Sequence, residues 1–100
     1  MTSSNSAESM YEIVYSPQFK KKLKLCVKRG LDMHKLQKVL EILSTGAMLP
    51  AQYRQHKLSG IFAGCWECHI QPDWLLLWKQ NDTELVLLLV DTGTHSDLFG

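Results

Sequence analysis

Residues 74–90, WLLLWKQNDTELVLLLV, contain two nearly uninterrupted apolar stretches separated by a short polar segment. Residues 74–79 and 84–90 have the length of strands, and continuous apolar runs of this length are typical of interior strands covered on both faces. The polar QNDT between them is short enough to join two antiparallel neighbours. We therefore predict a hairpin in the interior of a small sheet.

Two amphipathic helices are predicted between residues 16 and 46. Ser16 offers an N-cap and Pro17 a first helical position, where its missing N–H costs nothing, and Gly30 ends this helix. Asp32 caps the second helix, whose apolar residues recur at the spacing of one buried face, and Gly46 ends it. Two such helices joined by a glycine-containing turn favour a helical hairpin packed on a sheet.

Two further strands complete the predicted sheet. Residues 10–16, MYEIVYS, form the first strand, and residues 61–70, IFAGCWECHI, lead into the hairpin. Residues 47–60 are predicted to be a mostly irregular connection, which is long for a compact domain. The order β-α-α-β-β-β predicts an α+β fold, with two N-terminal helices packed on a small, largely antiparallel four-stranded sheet.

Length and composition describe a single domain of 100 residues, of which 45% are hydrophobic and 21% charged. We predict a disordered leader at residues 1–9, which lack the basic and apolar regions of a secretory signal, and one domain at residues 10–100. No apolar stretch approaches the about 20 residues that span a bilayer, so no membrane contact is expected. Three cysteines, an odd number, fit a reducing cytoplasm better than a disulfide framework.

The net charge of +1 does not by itself indicate a nucleic-acid binder, but the basic residues are unevenly distributed. A local basic patch can steer a polyanion even when the total charge is nearly neutral. Basic runs are also common on solvated helix faces, so both interpretations stay open. The residues concerned lie on the first predicted helix: Lys20, Lys21, Lys22, Lys24, Lys28 and Arg29.

The segment Cys65-Trp66-Glu67-Cys68-His69 matches the C-x-x-C-H pattern of covalent haem attachment. Residues three apart on a strand point to opposite faces, so the two thiols cannot both reach one haem or one metal ion. A zinc site also needs a second ligand pair, which the sequence does not offer. Cys68 is therefore interpreted as a small apolar core residue, and neither a cofactor nor a metal site is predicted.

Three histidines and an aspartate lie in or beside predicted strand ends and loops: His56, His69, Asp73 and His95. Histidine exchanges protons near neutral pH with little tuning, so such a cluster can supply both a general acid and a general base. A lone histidine is more often structural, and His34 on the second helix is given that interpretation. The cluster favours acid–base chemistry at the edges of the sheet.

Three separated blocks carry a family resemblance: YRQHKLSG at 53–60, ECHIQPDW at 67–74 and GTHSDLFG at 93–100. In this order and spacing after two helices, they resemble the YafQ branch of the RelE-type bacterial toxins. The resemblance covers residues 11–100 and implies a RelE-like fold and a cytoplasmic, ribosome-dependent, metal-independent endoribonuclease, which cuts mRNA in the ribosomal A site. It also implies a cognate antitoxin of the DinJ/RelB kind, through which alone operator DNA would be bound.

Carried over by position, the resemblance implies that His56, His69, Asp73 and His95 are catalytic residues that assist attack of a ribose 2′-hydroxyl on the adjacent phosphate. His95 is expected to be the general acid, and His56 and Asp73 are candidates for the base. His69 would orient or stabilise the phosphate. Phe99 matches an aromatic residue that helps to hold the substrate, and a role as C-terminal core anchor is an equal alternative. Four lysines become candidates for contacting ribosomal RNA, namely Lys20, Lys21, Lys24 and Lys28.

One position departs from the family pattern. Relatives commonly carry arginine where this sequence has Trp66, and tryptophan cannot replace the bidentate charge of arginine on a phosphate. Trp66 is expected beside the substrate, with activity either weakened or supported by other cations. The alternative to an active endoribonuclease is therefore a catalytically weakened module, retained for antitoxin binding and transcriptional autoregulation.

Overall fold

The computed structural model describes residues 10–100, so the predicted leader at residues 1–9 lies outside the described residues. No helix in the described part of the chain has the length and apolar character that crossing a membrane requires. The regular elements are β1 (Glu12–Tyr15), α1 (Pro17–Lys28), α2 (Met33–Ser44), β2 (His56–Lys57), β3 (Trp66–Gln71), β4 (Trp74–Asn81), β5 (Val86–Gly93) and α3 (His95–Phe99), with short 3-10 turns at Ala51–Tyr53 and Gly60–Phe62.

The sheet confirms the predicted α+β architecture and corrects its strand count. The strands lie in the order β1-β5-β4-β3-β2. β1 pairs with β5 in parallel, and the remaining pairs are antiparallel. The sheet therefore has five strands and not four. The additional strand is β2, which lies within the connection predicted to be irregular, and two residues are too few to produce a periodic pattern in the sequence.

The two helices begin and end where the sequence predicts. The Ser16 hydroxyl accepts a hydrogen bond of 3.0 Å from the backbone N–H of Phe19, and the Asp32 carboxylate accepts one of 2.9 Å from the backbone N–H of His34. Gly30 lies just beyond α1 with a positive φ of 81°. A residue other than glycine would be strained in this left-handed conformation, which explains why the helix stops there.

The main core lies between the helices and one face of the sheet. Alternate residues of β4, namely Trp74, Leu76 and Trp78, point into it, together with Phe19 of α1 and Val39 of α2. The intervening residues of β4 are buried as well, since Leu75 and Leu77 are 0% and 1% exposed. The prediction that this strand is covered on both faces is therefore confirmed. The outward residues of β5, Val86, Leu88 and Val90, are only partly covered.

The C-terminal ten residues contain a helix that the sequence analysis did not predict. β5 extends to Gly93, and α3 follows at once with Thr94 as its N-cap. The Thr94 hydroxyl accepts from the backbone N–H of Asp97, while the Asp97 carboxylate accepts from the backbone N–H of Thr94. This reciprocal pair is a capping box, and its spacing of threonine and acid is the signal that could have revealed the helix.

β3 also starts later than predicted. Residues 61–70 were expected to be extended, yet Gly60–Phe62 form a 3-10 turn and the strand begins only at Trp66. Gly64, with a positive φ of 92°, lies between the two elements. The turn lets the chain reverse from β2 into its antiparallel partner β3.

A buried hydroxyl joins β4 to β5 and provides a test of the fold. The indole N–H of Trp74 donates to Oγ1 of Thr92 over 3.0 Å, and this hydroxyl donates to the carbonyl oxygen of Leu75 over 2.7 Å. Thr92→Val would leave the buried indole N–H without its acceptor, so we expect a loss of about 1–3 kcal/mol in the free energy of unfolding. Thr92→Ser retains the hydroxyl, so its free energy of unfolding should decrease by a smaller amount. Equal losses in urea denaturation of the two variants would contradict this account.

Candidate functional site

His95 and Asp73 meet where α3 begins beside the turn between β3 and β4. The Asp73 carboxylate oxygen Oδ1 accepts from the backbone N–H of His95 and lies 3.1 Å from Nδ1 of its imidazole. These two hydrogen bonds, first the backbone one and then that of the ring, hold the pKa of Asp73 below its usual range. Both side chains are exposed, so this pair faces solvent at the open end of the sheet.

The other two histidines lie beside a buried acid on β3. Glu67 is only 4% exposed and lies opposite His56 in the β2–β3 register. Its Oε1 is 3.1 Å from Nε2 of His56 and 3.8 Å from Nε2 of His69. Since Glu67 and His69 are two residues apart on one strand, they share the face of the sheet opposite the main core.

All three imidazoles have Nδ1 directed at an oxygen atom. His56 Nδ1 is 2.7 Å from the carbonyl oxygen of Arg54, and His69 Nδ1 is 3.2 Å from that of Pro72. A carbonyl oxygen can only accept, so Nδ1 carries a proton in each of these two rings. The same assignment follows for His95 while Asp73 is ionised. The Nε2 atoms are therefore the ones presented for exchange of a proton.

Two of the three histidines line a cleft of about 620 Å³. The His69 and His95 rings line it with their centroids 5.8 Å apart. Arg54 lines the same cleft and has a left-handed backbone with φ 52°, a conformation that costs a residue with a side chain about 1–2 kcal/mol. The remaining lining residues come from two loops and the end of β3: Gln52, Tyr53, Ile70, Gln71 and Pro72.

Phe99 closes the C-terminal side of this site. Its ring packs edge-on against Phe62 at a centroid distance of 5.3 Å and lies 6.2 Å from the ring of His95. Phe99 nevertheless remains 44% exposed. The side chain is thus anchored by Phe62 and still presents aromatic surface beside the imidazole.

Trp66 is not brought to the histidines. Its ring stacks on Trp78 of the main core at 6.3 Å, and the ammonium group of Lys57 lies 5.3 Å from its centre. Trp66 precedes Glu67, so the alternation of the strand directs the two side chains to opposite faces. The structure thus places Trp66 apart from the predicted catalytic residues, and its contact with substrate stays a prediction.

The basic residues of α1 divide into two groups. Lys22 and Arg29 contact carboxylates of β5 and α3, whereas four other lysines are exposed to solvent along the helix. His34 is also exposed on α2 and makes its contact with Asp32 of the same helix end. The exposed lysines are the ones proposed for RNA contact, Lys20, Lys21, Lys24 and Lys28.

The C-x-x-C-H segment is divided between two environments. Cys68 is fully buried in the main core, and this burial raises the pKa of its thiol to about 12. Cys65 is buried outside that core cluster, before β3 begins. Among residues 10–100 no group of three or more histidine, cysteine or acidic side chains has the arrangement of a metal site.

Two polar residues of the site were missed in the sequence analysis. Glu67 could have been found from its position two residues before His69, which places both on one face of a strand. Arg54 gave no periodic signal, because it lies in an irregular loop and reaches the cleft through its left-handed backbone. Phe62 was likewise hidden in a segment predicted to be a strand.

A small α+β domain whose open cleft is lined by two imidazoles, with a third imidazole and two carboxylates beside them, is equipped for proton transfer on a bound substrate. The family model described as the bacterial toxin of type II toxin–antitoxin systems, YafQ, matches residues 11–100. The chain belongs to this YafQ toxin family.

Individual relatives agree with this assignment. The mRNA interferase toxin YafQ of Escherichia coli strain K12 is 41% identical over 90 residues, which cover 89% of this chain and 96% of the relative. The crystal structure of YafQ from E. coli strain BL21(DE3) superimposes with a TM-score of 0.83 at 40% identity, covering 90% of this chain and 99% of that one. The crystal structure of the E. coli DinJ–YafQ toxin–antitoxin complex gives the same TM-score and identity, with coverages of 91% and 99%.

The Asp73–His95 pair predicts the titration of its carboxyl group. Because hydrogen bonds to the ionised form lower its pKa, Asp73 should titrate below the about 3.9 of an unperturbed aspartate. Its stabilising contribution is present above the unfolded pKa and is lost as the pH falls through the lower folded value. His95→Ala removes the imidazole donor to Asp73 and keeps the backbone donor. The titration midpoint of Asp73, followed by carboxyl carbon-13 shifts, should therefore rise only part of the way toward that of an unperturbed aspartate. A wild-type midpoint at or above about 3.9 would contradict the pairing.

Proposed function

We propose that this protein is an mRNA interferase: an endoribonuclease that acts in the cytoplasm on mRNA held in the ribosomal A site and so inhibits translation. The observation that carries the proposal is a cleft lined by His69 and His95 in a member of the YafQ toxin family, with Asp73 beside His95 and Glu67 between His69 and His56. The curated E. coli relative carries the name mRNA interferase, which agrees with this chemistry.

The reaction that such residues support is an internal transphosphorylation. The ribose 2′-oxygen attacks the adjacent phosphorus while its proton passes to a general base. The bond from phosphorus to the 5′-oxygen then breaks, and a general acid gives a proton to that oxygen. The products are a 2′,3′-cyclic phosphate and a 5′-hydroxyl, so protons and bonds balance within the two catalytic groups. General acid and base groups each contribute typically about 10²–10⁴-fold.

The acid is assigned to His95. Its Nδ1 is occupied by Asp73, which leaves Nε2 as the atom that would give the proton to the leaving 5′-oxygen. Asp73 is a candidate base from the sequence, but its Oδ1 already contacts both the backbone N–H and the ring Nδ1 of His95. We therefore propose that Asp73 positions His95 and supplies an anionic neighbour for its imidazolium form.

The base is assigned to the group around Glu67. Nδ1 of His56 faces the Arg54 carbonyl oxygen and Nε2 faces the Glu67 carboxylate, so these two contacts fix the orientation of the imidazole. Nε2 of His69 lies close to the same carboxylate and faces the cleft. Nε2 of His56 is proposed to exchange its contact with Glu67 for one with the 2′-hydroxyl and so to take the 2′ proton, and His69 is proposed to orient the phosphate.

Substrate contacts are proposed on both sides of these imidazoles. Phe99 offers aromatic surface for a nucleotide base, a kind of stacking worth about 1–3 kcal/mol. Arg54 in the cleft would supply a guanidinium for a phosphate oxygen. The exposed lysines of α1 would contact the phosphates of ribosomal RNA, an interaction that weakens as the salt concentration rises.

The proposed regulation follows from the family. The E. coli relative has been crystallised with DinJ as a toxin–antitoxin complex, and we propose that a DinJ/RelB-like antitoxin neutralises this protein in the same way. The half-covered outward residues of β5 are a surface on which such a partner would gain by burial. Binding of operator DNA is proposed to occur only through the antitoxin.

A module retained only for antitoxin binding is the alternative, and it rests on tryptophan in place of arginine at position 66. The stacking of Trp66 on Trp78 lies on the core side of the sheet, away from the imidazoles. The contacts among the histidines and acids therefore do not involve the residue at position 66. This separation favours cleavage over antitoxin binding alone.

Removal of the proposed acid tests the function directly. We expect expression of the wild type without an antitoxin to arrest growth and to produce new transcript ends within translated codons. His95→Ala should lower the yield of these ends by about 10²-fold or more, because no group protonates the leaving oxygen. His34→Ala, which removes an exposed histidine from α2, is the matched control and should cut like the wild type. New ends that persist in His95→Ala would exclude the assigned acid, and a folded but harmless wild type would favour the binding module.

The buried acid on β3 offers a second test of the mechanism. Glu67→Gln keeps the size of the side chain and removes its charge, so His56 loses its anionic partner. We expect cleavage in single-turnover assays on programmed ribosomes to fall by about tenfold or more. Glu84→Gln changes an exposed glutamate in the β4–β5 turn and should leave the rate unchanged. Equal rates for the two variants would exclude Glu67 from the mechanism.

A further inference from the structure

We propose that Arg29, the C-cap residue of α1, and Asp97 of α3 form a clamp that positions α3, and with it His95 and Phe99, against the cleft. This inference rests on the proposed function, because it assigns Arg29 and Asp97 as positioning residues for the residues that act on the substrate. The two side chains lie outside the cleft. They act through the helix that carries His95.

The contact between the two helices is bidentate. Nη1 of Arg29 lies 2.6 Å from Oδ2 of Asp97, and Nη2 donates to Oδ1 over 3.3 Å. A guanidinium and a carboxylate joined by two parallel hydrogen bonds fix orientation as well as distance. Lys22, nearly two turns earlier on α1, adds a hydrogen bond of 3.3 Å to the backbone carbonyl of Asp97. Two side chains, one from α1 and one from its C-cap, thus hold one residue of α3.

Asp97 transmits this contact to the start of its helix. The same Oδ2 that contacts Arg29 also accepts from the backbone N–H of Thr94 over 2.9 Å, within the capping box. Thr94 is followed directly by His95, whose own backbone N–H is bonded to Asp73. The guanidinium and the capping hydrogen bonds together hold the pKa of Asp97 well below its usual range, so the carboxylate remains charged at neutral pH.

A helix of this length needs outside support. α3 has five residues, and isolated helices much shorter than about 12–15 residues are not stable in water. His95 is exposed and Phe99 is only partly covered by Phe62, so apolar burial alone gives this helix limited support. Gly93 allows the Asp97 side chain to lie close to the backbone of β5, since a Cβ atom at position 93 would be 2.7 Å from Oδ2 of Asp97. The clamp supplies the orientation that a short exposed helix lacks.

The basic residues of α1 and its C-cap have two different roles, contact with carboxylates of this chain and proposed contact with RNA. Lys22 and Arg29 turn toward carboxylates of this chain, and Lys22 additionally lies 3.7 Å from Asp91 of β5. A cation committed to an internal carboxylate contributes less to the binding of RNA than one that is free in solvent. Arg29 should therefore influence the rate of cleavage and not the affinity for the ribosome.

The test compares Arg29→Met, which keeps the aliphatic stem, with Lys38→Met, which removes the same charge from an exposed position on α2. In single-turnover cleavage on programmed ribosomes, with toxin in excess, we expect Arg29→Met to lower the maximal rate by about tenfold, because misplacement of a reacting group by a fraction of an ångström is costly. The toxin concentration giving half-maximal rate should change less than twofold. Arg29→Lys should recover part of the rate, and Lys38→Met should behave like the wild type.

Amide hydrogen exchange on the same proteins separates this inference from the proposed function. Arg29→Met and Asp97→Asn should each speed exchange at the Leu98 amide, which donates to Thr94 within α3, and the double variant should add little to either. Unchanged exchange at Leu98 would overturn the clamp whether or not the wild type cuts RNA. A weaker apparent affinity at an unchanged maximal rate would also overturn it, because Arg29 would then act as an RNA contact. A wild type that does not cleave RNA would refute the proposed function, and exchange would still decide the clamp.

Discussion

The alternation of side chains along β3 is the constraint on which the rest of the site depends. Cys68 and Ile70 point into the main core, and for that reason Glu67 and His69 must point to the other face. A shift of one residue in register would exchange the two sets and place a carboxylate and an imidazole among the leucines. The burial of one face of a single strand therefore holds the polar groups of the other face in position.

The site is completed by parts of the chain that are distant in sequence and short in length. β2 contributes His56 through only two residues, and α3 contributes His95 through five. Neither element would be stable alone, since the few contacts within a short segment do not offset the entropy lost when it is ordered. Each is held by polar contacts, His56 by Glu67 and α3 by Asp73 and Arg29. Polar interactions here provide orientation, whereas apolar burial provides most of the stability.

Long periodic elements were predictable and short ones were not. The caps and glycines around α1 and α2 located both helices, and the apolar run of β4 indicated a strand covered on both faces. β2 and α3 escaped because two or five residues carry too little pattern. The three histidines and Asp73 were recognised from their residue types and the family resemblance. Glu67 was not recognised, because only its contacts with the two imidazoles beside it indicate a role in the site.

The sequence by itself determined which residues are apolar, where the two long helices begin and end, and that Cys68 is a core residue. These features depend on local backbone preferences and on the alternation of a strand, which the order of residues already contains. Only the tertiary structure decided that Trp66 lies away from the histidines, that Glu67 joins His56 to His69, and that Arg29 holds the helix carrying His95. These contacts join residues from separate elements, and the distance between two such side chains is set by packing and not by spacing along the chain.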